Sequence, residues 1–357
     1  LLNILKKKIL RKPMPLKVGV IANPVSGRDI RRVIAQANSL QVADRANMLL
    51  RALAGLAACG VAEAVMMPER GGVAGHVLRH LAQAANRGET RFPRLSFLNM
   101  PVTGTVDDSR LAARKLAGEG VAAIIVLGGD GTHRAVAAEC GATPIAGIST
   151  GTNNAFPEYR EPTVTGFATG LAASGAVPKD VAIAANKWLK LEIEGAPSEI
   201  ALVDVAVVTE QNLGARALWR ADTFRELYVT FADPQVIGMS AIAGLVEPVG
   251  RDEAGGLMLR LAPAGAAATI VRAPIAPGLV EPIGVEDWRR LPAGSAFAPA
   301  LAAGSIALDG ERELSFGPKR KVSIELVEKA FATINVAAVM RYAAAKGLLR
   351  EGRLACA

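Results

Sequence analysis

The chain has 357 residues, 51% of them hydrophobic and 21% charged, with a formal charge of +8. That balance excludes a disordered chain and suits two domains of ordinary size, while the positive excess favours anionic partners such as phosphates and nucleotides. Aromatic residues are only 4% of the chain, too few for the stacking platforms of single-strand nucleic-acid binders, and no apolar run approaches the ~20 residues of a membrane-spanning helix.

Residues 1–16 form a basic leader in which Lys6, Lys7, Lys8, Arg11 and Lys12 stand close together. It reads as a solvated segment or as a basic amphipathic helix lying on a membrane surface. From residue 17 to 178 strand-like and helix-like segments alternate. Lys17–Ala22 has the pattern of a buried strand and runs into Asn23-Pro24-Val25-Ser26-Gly27. A helical stretch follows to about Ala58, then a short apolar run over 61–67 and an amphipathic helix over Val73–Asn86. A strand is expected over 95–100 and a helix over 107–117, with Asp107 or Asp108 able to cap it. Residues 121–127 (VAAIIVL) are apolar on both faces, as in a central parallel strand covered by helices. A helix over 132–140, a strand over 144–148 and a helix over 165–173 complete the βαβα rhythm of an open, mainly parallel α/β domain.

The pattern changes at residue 179. As far as 330, short apolar or alternating runs (187–193, 201–208, 227–231, 257–261, 268–272, 305–308 and 321–327) are punctuated by Gly and Pro, which predicts a β-rich second domain, a sandwich. The segment 331–357 returns to helical spacing over 336–349, with Val339, Tyr342, Ala343 and Leu348 partly on one face. It is expected to pack back on the first domain.

Cys59, Cys140 and Cys356 are widely separated and form no CxxC pair, and with His76, His80 and His133 they make no zinc set. This usage suits a reducing cytoplasm. His76 and His80 stand four apart without a third ligand, the pattern of a helix surface. Without a helix-turn-helix signature, a zinc set or aromatic interleaving, no nucleic-acid partner is expected.

The strongest chemical signal is Gly128-Gly129-Asp130-Gly131-Thr132, between a buried strand and a helix. Glycines permit positive φ and close approach to a ligand, and amides at the following helix start make an anion site. Asp130 can hold Mg²⁺ or accept a hydroxyl proton, and Thr132 can bind a phosphate or cap the helix. The alternative is a glycine turn with a capping aspartate. The motif is neither a Walker A loop nor the GxGxxG fingerprint. Two polar loops accompany it at carboxyl ends of strands: Asn23, Ser26 and Gly27 after the first, and Ser149-Thr150-Gly151-Thr152-Asn153-Asn154 after the strand ending at 148. Open α/β sheets bind ligands at that edge. Late in the β-rich region stands Leu308-Asp309-Gly310-Glu311, in which Asp309 is either a general base facing the cleft or part of a type I′ hairpin turn.

In this order, NPxSG, GGDGT, a GTxN loop and a late DGE, the residues resemble the superfamily of NAD kinases and diacylglycerol-type lipid kinases. In overall look the chain is closest to the acetoin-catabolism protein X branch, described as ATP-NAD kinase-like. The resemblance implies an α/β nucleotide domain, a β-sandwich and a C-terminal segment that returns to the first domain. It implies that Gly128, Gly129, Asp130, Gly131 and Thr132 bind the phosphates of ATP and Mg²⁺. Asn23, Ser26 and Gly27 would then meet the nucleotide, with Gly151, Thr152, Asn153 and Asn154 beside it. Asp130 is the base by analogy with NAD kinases, and Asp309 by analogy with lipid kinases. On the acceptor side it offers Asp204, Ser240 and Glu311. Departures are visible: Asn153 and Ala155 stand where lipid kinases have glycine and aspartate, and Val203 stands where NAD kinases have an asparagine. The expected function is a cytoplasmic, ATP- and Mg²⁺-dependent kinase acting on a hydroxyl of a small molecule, either NAD or a metabolite linked to acetoin catabolism. The alternatives are a lipid kinase and a non-catalytic nucleotide-binding regulator. No integral membrane association is expected, and assembly as a homo-oligomer is left open.

Overall fold

The computed structural model describes residues 16–24, 40–89, 91–150, 154–210, 221–310 and 312–350. Ser26, Gly27, Gly151, Thr152, Asn153, Glu311 and almost all of the basic leader lie outside the described residues.

The first half alternates as its sequence predicts. The strands are β1 (Lys17–Ala22), β2 (Glu63–Met66), β3 (Arg94–Phe97), β4 (Ile124–Gly128) and β5 (Ile145–Ser149). They pair in parallel in the order β3-β2-β1-β4-β5. Strand β4 is buried along its whole length, which is why its sequence is apolar on both faces. The helices between the strands are α1 (Val42–Ala58), α2 (Val73–Asn86), α3 (Val106–Gly118), α4 (Asp130–Ala137) and α5 (Pro162–Ala173). Neither Asp107 nor Asp108 caps α3. Thr105 does so, accepting from the Asp107 amide, while Asp108 is turned back to hold the amides of Thr103 and Gly104. Helix α5 starts at Pro162 rather than 165, because proline tolerates the first helical position and Glu161 supplies the cap.

The second half continues with α6 (Lys179–Ala182), β6 (Ile183–Ile193), β7 (Glu199–Ala201), β8 (Asp204–Val208) and β9 (Phe224–Val229). After α7 (Met239–Gly244) come β10 (Gly256–Ala262), β11 (Thr269–Ala276), β12 (Leu279–Leu291), β13 (Ala296–Phe297), β14 (Gly304–Leu308), β15 (Arg312–Phe316), β16 (Val322–Ile334) and α8 (Val336–Lys346). Among the described residues an antiparallel sheet of seven strands runs β11-β12-β10-β9-β8-β14-β15. The remaining strands of this half do not join it. β16 pairs with β5 and with β6, so β6, β7, β13 and β16 extend the first sheet to nine strands among the described residues. The composition shift near residue 178 is therefore not a boundary between sheets. Leu189, Leu191, Ile324 and Leu326 on this extension pack against Val205, Val207, Tyr228 and Ile306 of the antiparallel sheet, closing a sandwich whose one layer continues the α/β sheet.

Helix α8 returns to the first half, where Val336, Val339 and Ala343 join the cluster built on β1, β4 and α1. Tyr342 is only partly buried and Leu348 is exposed beyond the helix end. Among the described residues no helix is long and apolar enough to cross a membrane.

Helices α1 and α5 touch backbone to backbone. A Cβ on Gly166 would lie 2.2 Å from the Ala52 carbonyl oxygen, and one on Gly55 would lie 2.5 Å from that of Thr163. In an exposed helix Gly→Ala would stabilise by ~1 kcal/mol, but here the neighbour is backbone that cannot yield cheaply. Gly166→Ala should therefore destabilise by roughly 1–3 kcal/mol, measured as a lower urea midpoint; an unchanged or higher midpoint would disprove the close packing.

Candidate functional site

Strand order reverses between β1 and β4, which places the topological switch point, where open α/β sheets bind ligands, between their carboxyl ends. Asn23 leaves β1 on one side of that crevice, and Gly129 leaves β4 on the other. The Asn23 side-chain amide donates to the Thr132 hydroxyl across it at 3.0 Å. Thr132 is thus engaged with the opposite loop, and the helix cap is Gly129, one turn earlier than expected. Arg45 of α1 is buried and donates to the Pro24 carbonyl, fixing the turn that carries Asn23.

The glycines are required by contact rather than by handedness. Gly129 has φ −93°, Gly128 closes a strand and Gly131 lies in helix. A Cβ on Gly128 would meet Thr132 Cβ at 2.5 Å, and one on Gly129 would meet Asn154 Oδ1 at 2.9 Å. Asn154 in turn donates to the Ser149 hydroxyl at 2.8 Å. The loops after β1, β4 and β5 are therefore drawn into one donor-rich wall.

Asp130, in the first turn of α4, is buried. Its two carboxylate oxygens accept the successive amides of Ala155 and Phe156, each at 2.9 Å. Ala155 thus contributes a peptide N–H at the place where the resemblance would have put a carboxylate.

His133 is fully buried. Its Nδ1 donates to the Gly129 carbonyl at 2.9 Å, and its Nε2 has no hydrogen-bond partner among the described residues. Gly147 leaves room for the ring, since a Cβ there would lie 2.8 Å from Nε2. Burial lowers the His133 pKa from 6.5 to about 4, against the smaller opposing effect of the Gly129 carbonyl.

Asp309 lies in the hairpin turn of its motif and is not open to the cleft as the general-base reading expects. It stands in the turn between β14 and β15, where Asp309 has φ 49° and Gly310 φ 66°. Yet its carboxylate is wholly enclosed. Oδ1 accepts the amides of Val203 and Asp204, and Oδ2 accepts that of Leu202 and, at 3.0 Å, the Arg134 guanidinium. Arg134 also donates to the Leu308 carbonyl at 2.8 Å. It lies four residues after Asp130 on α4, so Asp309 docks about one helical turn from the aspartate of the GGDGT motif.

Asp204 is brought into this junction, its carbonyl accepting the Asp309 amide at 3.0 Å. The Val203 side chain is buried in the cluster that joins the halves. Ser240 is elsewhere, on α7 against the antiparallel sheet, its hydroxyl donating to the Phe231 carbonyl at 2.7 Å.

Residues 18–176 match the family model described as the ATP-NAD kinase N-terminal domain, and residues 187–329 match the acetoin catabolism protein X C-terminal domain. Acetoin catabolism protein X of Cupriavidus necator is 55% identical over 338 residues, which is 94% of each chain. The chain belongs to the acetoin catabolism protein X family. Solved structures with a similar course include a candidate diacylglycerol kinase from Bacillus anthracis (16% identity, 89% of this chain and 97% of that one, TM-score 0.49). Another is yeast NADH kinase complexed with NADH (12% identity, 96% and 90% coverage, TM-score 0.42). In this family member the NAD kinase-like half ends before β6, and the family-specific half supplies Asp309 and the strands of the sandwich.

Three functional candidates are not visible in the motifs. Arg134 had a signal, a basic residue four positions after the loop aspartate on a helix. His133 is adjacent to the motif but looks like any helical histidine. Arg251 had none, because its partners lie nearly a hundred residues away in the chain: it donates to the carbonyls of Ala155 and Phe156 and lies 4.0 Å over the Phe231 ring.

Two outcomes follow for stability. The unfolded chain binds the His133 proton near pH 6.5 and the native state only near 4, so protons favour unfolding between those values. Stability contributed by the neutral ring should be complete above pH 6.5 and decline toward pH 4 by on the order of 2–3 kcal/mol. The difference between parent and His133→Asn in urea midpoint, followed over that range, should show this slope; parallel curves would refute it. Arg134→Met should cost about 3–5 kcal/mol, since it strips the guanidinium from an enclosed carboxylate, and a loss under ~1 kcal/mol in the same assay would contradict the buried pair.

Proposed function

We propose that the chain is an ATP- and Mg²⁺-dependent kinase that binds nucleotide phosphates at the crevice between β1 and β4 and transfers the terminal phosphoryl group to a hydroxyl. The observation that carries this is the wall formed across the switch point by Asn23, the Gly128–Gly129 bend, Thr132 and Asn154, with Asp130 at the helix start. Amides at the start of α4 and the hydroxyl and amide side chains suit phosphate oxygens. Mg²⁺ prefers one or two carboxylates together with substrate phosphates. Asp130 fits that role, and among the described residues no group of three or more His, Cys, Asp or Glu forms a resident metal centre. When bound, the ion would neutralise charge on the transferring phosphoryl group. Asp130 is our choice for the group that takes the hydroxyl proton, because it stands at the start of α4 beside the crevice, whereas Asp309 is tied up by three amides and the Arg134 guanidinium. The acceptor we favour is NAD or a small metabolite linked to acetoin catabolism, with a lipid alcohol as the other kinase reading.

The same enclosure of Asp309 supports one second reading, a nucleotide-binding regulator without phosphoryl transfer. ATP consumption measured against NAD, diacylglycerol and a panel of hydroxylated metabolites separates the two. The kinase reading expects turnover with one acceptor class and a loss of about 10²–10⁴-fold in Asp130→Asn. ATP·Mg²⁺ binding with no turnover on any acceptor favours the regulator, and parental turnover in Asp130→Asn removes Asp130 from the chemistry.

A further inference from the structure

The peptide group between Ala155 and Phe156 lies between two charges, the buried Asp130 carboxylate and the half-buried Arg251 guanidinium. Its carbonyl accepts from Nη2 of Arg251, and its N–H donates to Oδ1 of Asp130 at 2.9 Å. The flanking groups repeat the arrangement: the Phe156 carbonyl accepts from Nη1 of Arg251 at 2.9 Å, and the Ala155 amide donates to Oδ2 of Asp130 at 2.9 Å. A cation on the carbonyl side and an anion on the amide side polarise the same peptide, each strengthening the other's hydrogen bond. The guanidinium plane is itself held, 4.0 Å over Phe231 and 5.5 Å over Phe156.

The loop that carries Arg251 is anchored to the large sheet. Lys187 on β6 is buried and donates to the carbonyls of Gly250, Glu253 and Gly255 at 3.3, 2.7 and 2.7 Å. Glu328 on β16 accepts the Gly255 amide at 2.7 Å. A continuous set of charge-assisted hydrogen bonds therefore runs from the strands shared by both halves to the aspartate of the phosphate loop.

We propose that Arg251 is a positioning residue for Asp130, acting through the Ala155–Phe156 peptide, so that the β-rich half sets the orientation of the carboxylate in the nucleotide crevice. Lysine cannot reproduce the function, because a single ammonium lacks the planar fork that serves both carbonyls. The use of this carboxylate by a bound nucleotide rests on the reading given under Proposed function; the coupling between the two residues does not.

The experiment has two arms on the full chain. In the first, urea unfolding is measured for the parent, Arg251→Met, Asp130→Asn and the double variant, with Arg251→Lys replacing Arg251→Met if the latter does not fold. Asparagine can accept only one of the two amides and turns its NH₂ toward the other, so both single variants break the same bridge. We expect the double variant to be non-additive by about fivefold or more in the unfolding equilibrium constant, within the range for groups sharing a network. Additive losses overturn the proposal, whatever the protein binds. In the second arm, ATP affinity is titrated with and without Mg²⁺. Arg251→Met and Arg251→Lys should each lose about tenfold or more of the Mg²⁺-dependent part of the affinity while retaining the metal-free part, and neither should lose more in the Asp130→Asn background. Equal losses with and without Mg²⁺ would mean a merely structural arginine and overturn the positioning role. A parent that binds no ATP refutes the nucleotide reading, and the first arm then decides the coupling by itself.

Discussion

Two carboxylates lie buried where the halves of the chain meet, and neither can stay there as an anion unless donors from other segments surround it. Asp309, at a hairpin turn of the late sequence, is enclosed by the amides of Leu202, Val203 and Asp204 and by Arg134 of the first half. Asp130, in the early GGDGT turn, accepts the amides of a loop that Arg251 of the second half holds in place. Asp309 is thus satisfied only when the two halves are correctly docked, and the loop whose amides answer Asp130 is held by a residue of the other half. An apolar cluster also joins them, with Leu202, Val203, Phe231 and Phe331 packed among β1, β4 and α3 residues. The carboxylates select its register, since apolar contact is not directional.

The extended sheet makes this docking possible. Because β16 continues from the antiparallel sandwich into pairing with β5, and β6 returns beside it, the relation between the halves is set by a hydrogen-bonded ladder rather than by a loose linker. The bulge in β16 between Val327 and Phe331 places Glu328 where it accepts the Gly255 amide, and Phe331 stacks on Trp188 and packs against Phe156. In a chain with 4% aromatic residues, this concentration beside the candidate site is a local investment in rigid apolar surface. It holds the 154–157 segment down over β5, where a glycine at 147 makes room for His133.

A site so constructed has few independent parts. The Gly128–Gly129 bend is held by the bulk of Thr132 and Asn154, Thr132 by Asn23, and Asn23 by the turn that Arg45 supports. The buried neutral His133 holds the Gly129 carbonyl from below. These hydrogen bonds and close contacts tie the described parts of the loops after β1, β4 and β5 to one another, so that the crevice has a fixed shape of its own.

Much of this was legible in the amino-acid order. Periodicity placed the parallel strands and their helices, because burial on both faces leaves only apolar residues in a segment such as 121–127. The GGDGT turn marked the carboxyl edge, since a backbone bend against the bulk of Thr132 and Asn154 admits only glycine. The family resemblance followed from the order of those motifs. What the sequence could not determine was set by contacts between distant segments: that β6 and β16 belong to the first sheet, that Asp309 is enclosed by Arg134 rather than open to the cleft, and that Arg251 reaches Asp130 through one peptide. Strand-like periodicity reports which residues are buried but not which neighbour they pair with. A lone arginine in a glycine-rich loop carries no local signal, because its role exists only once folding has brought the 154–157 segment and an anion beside it.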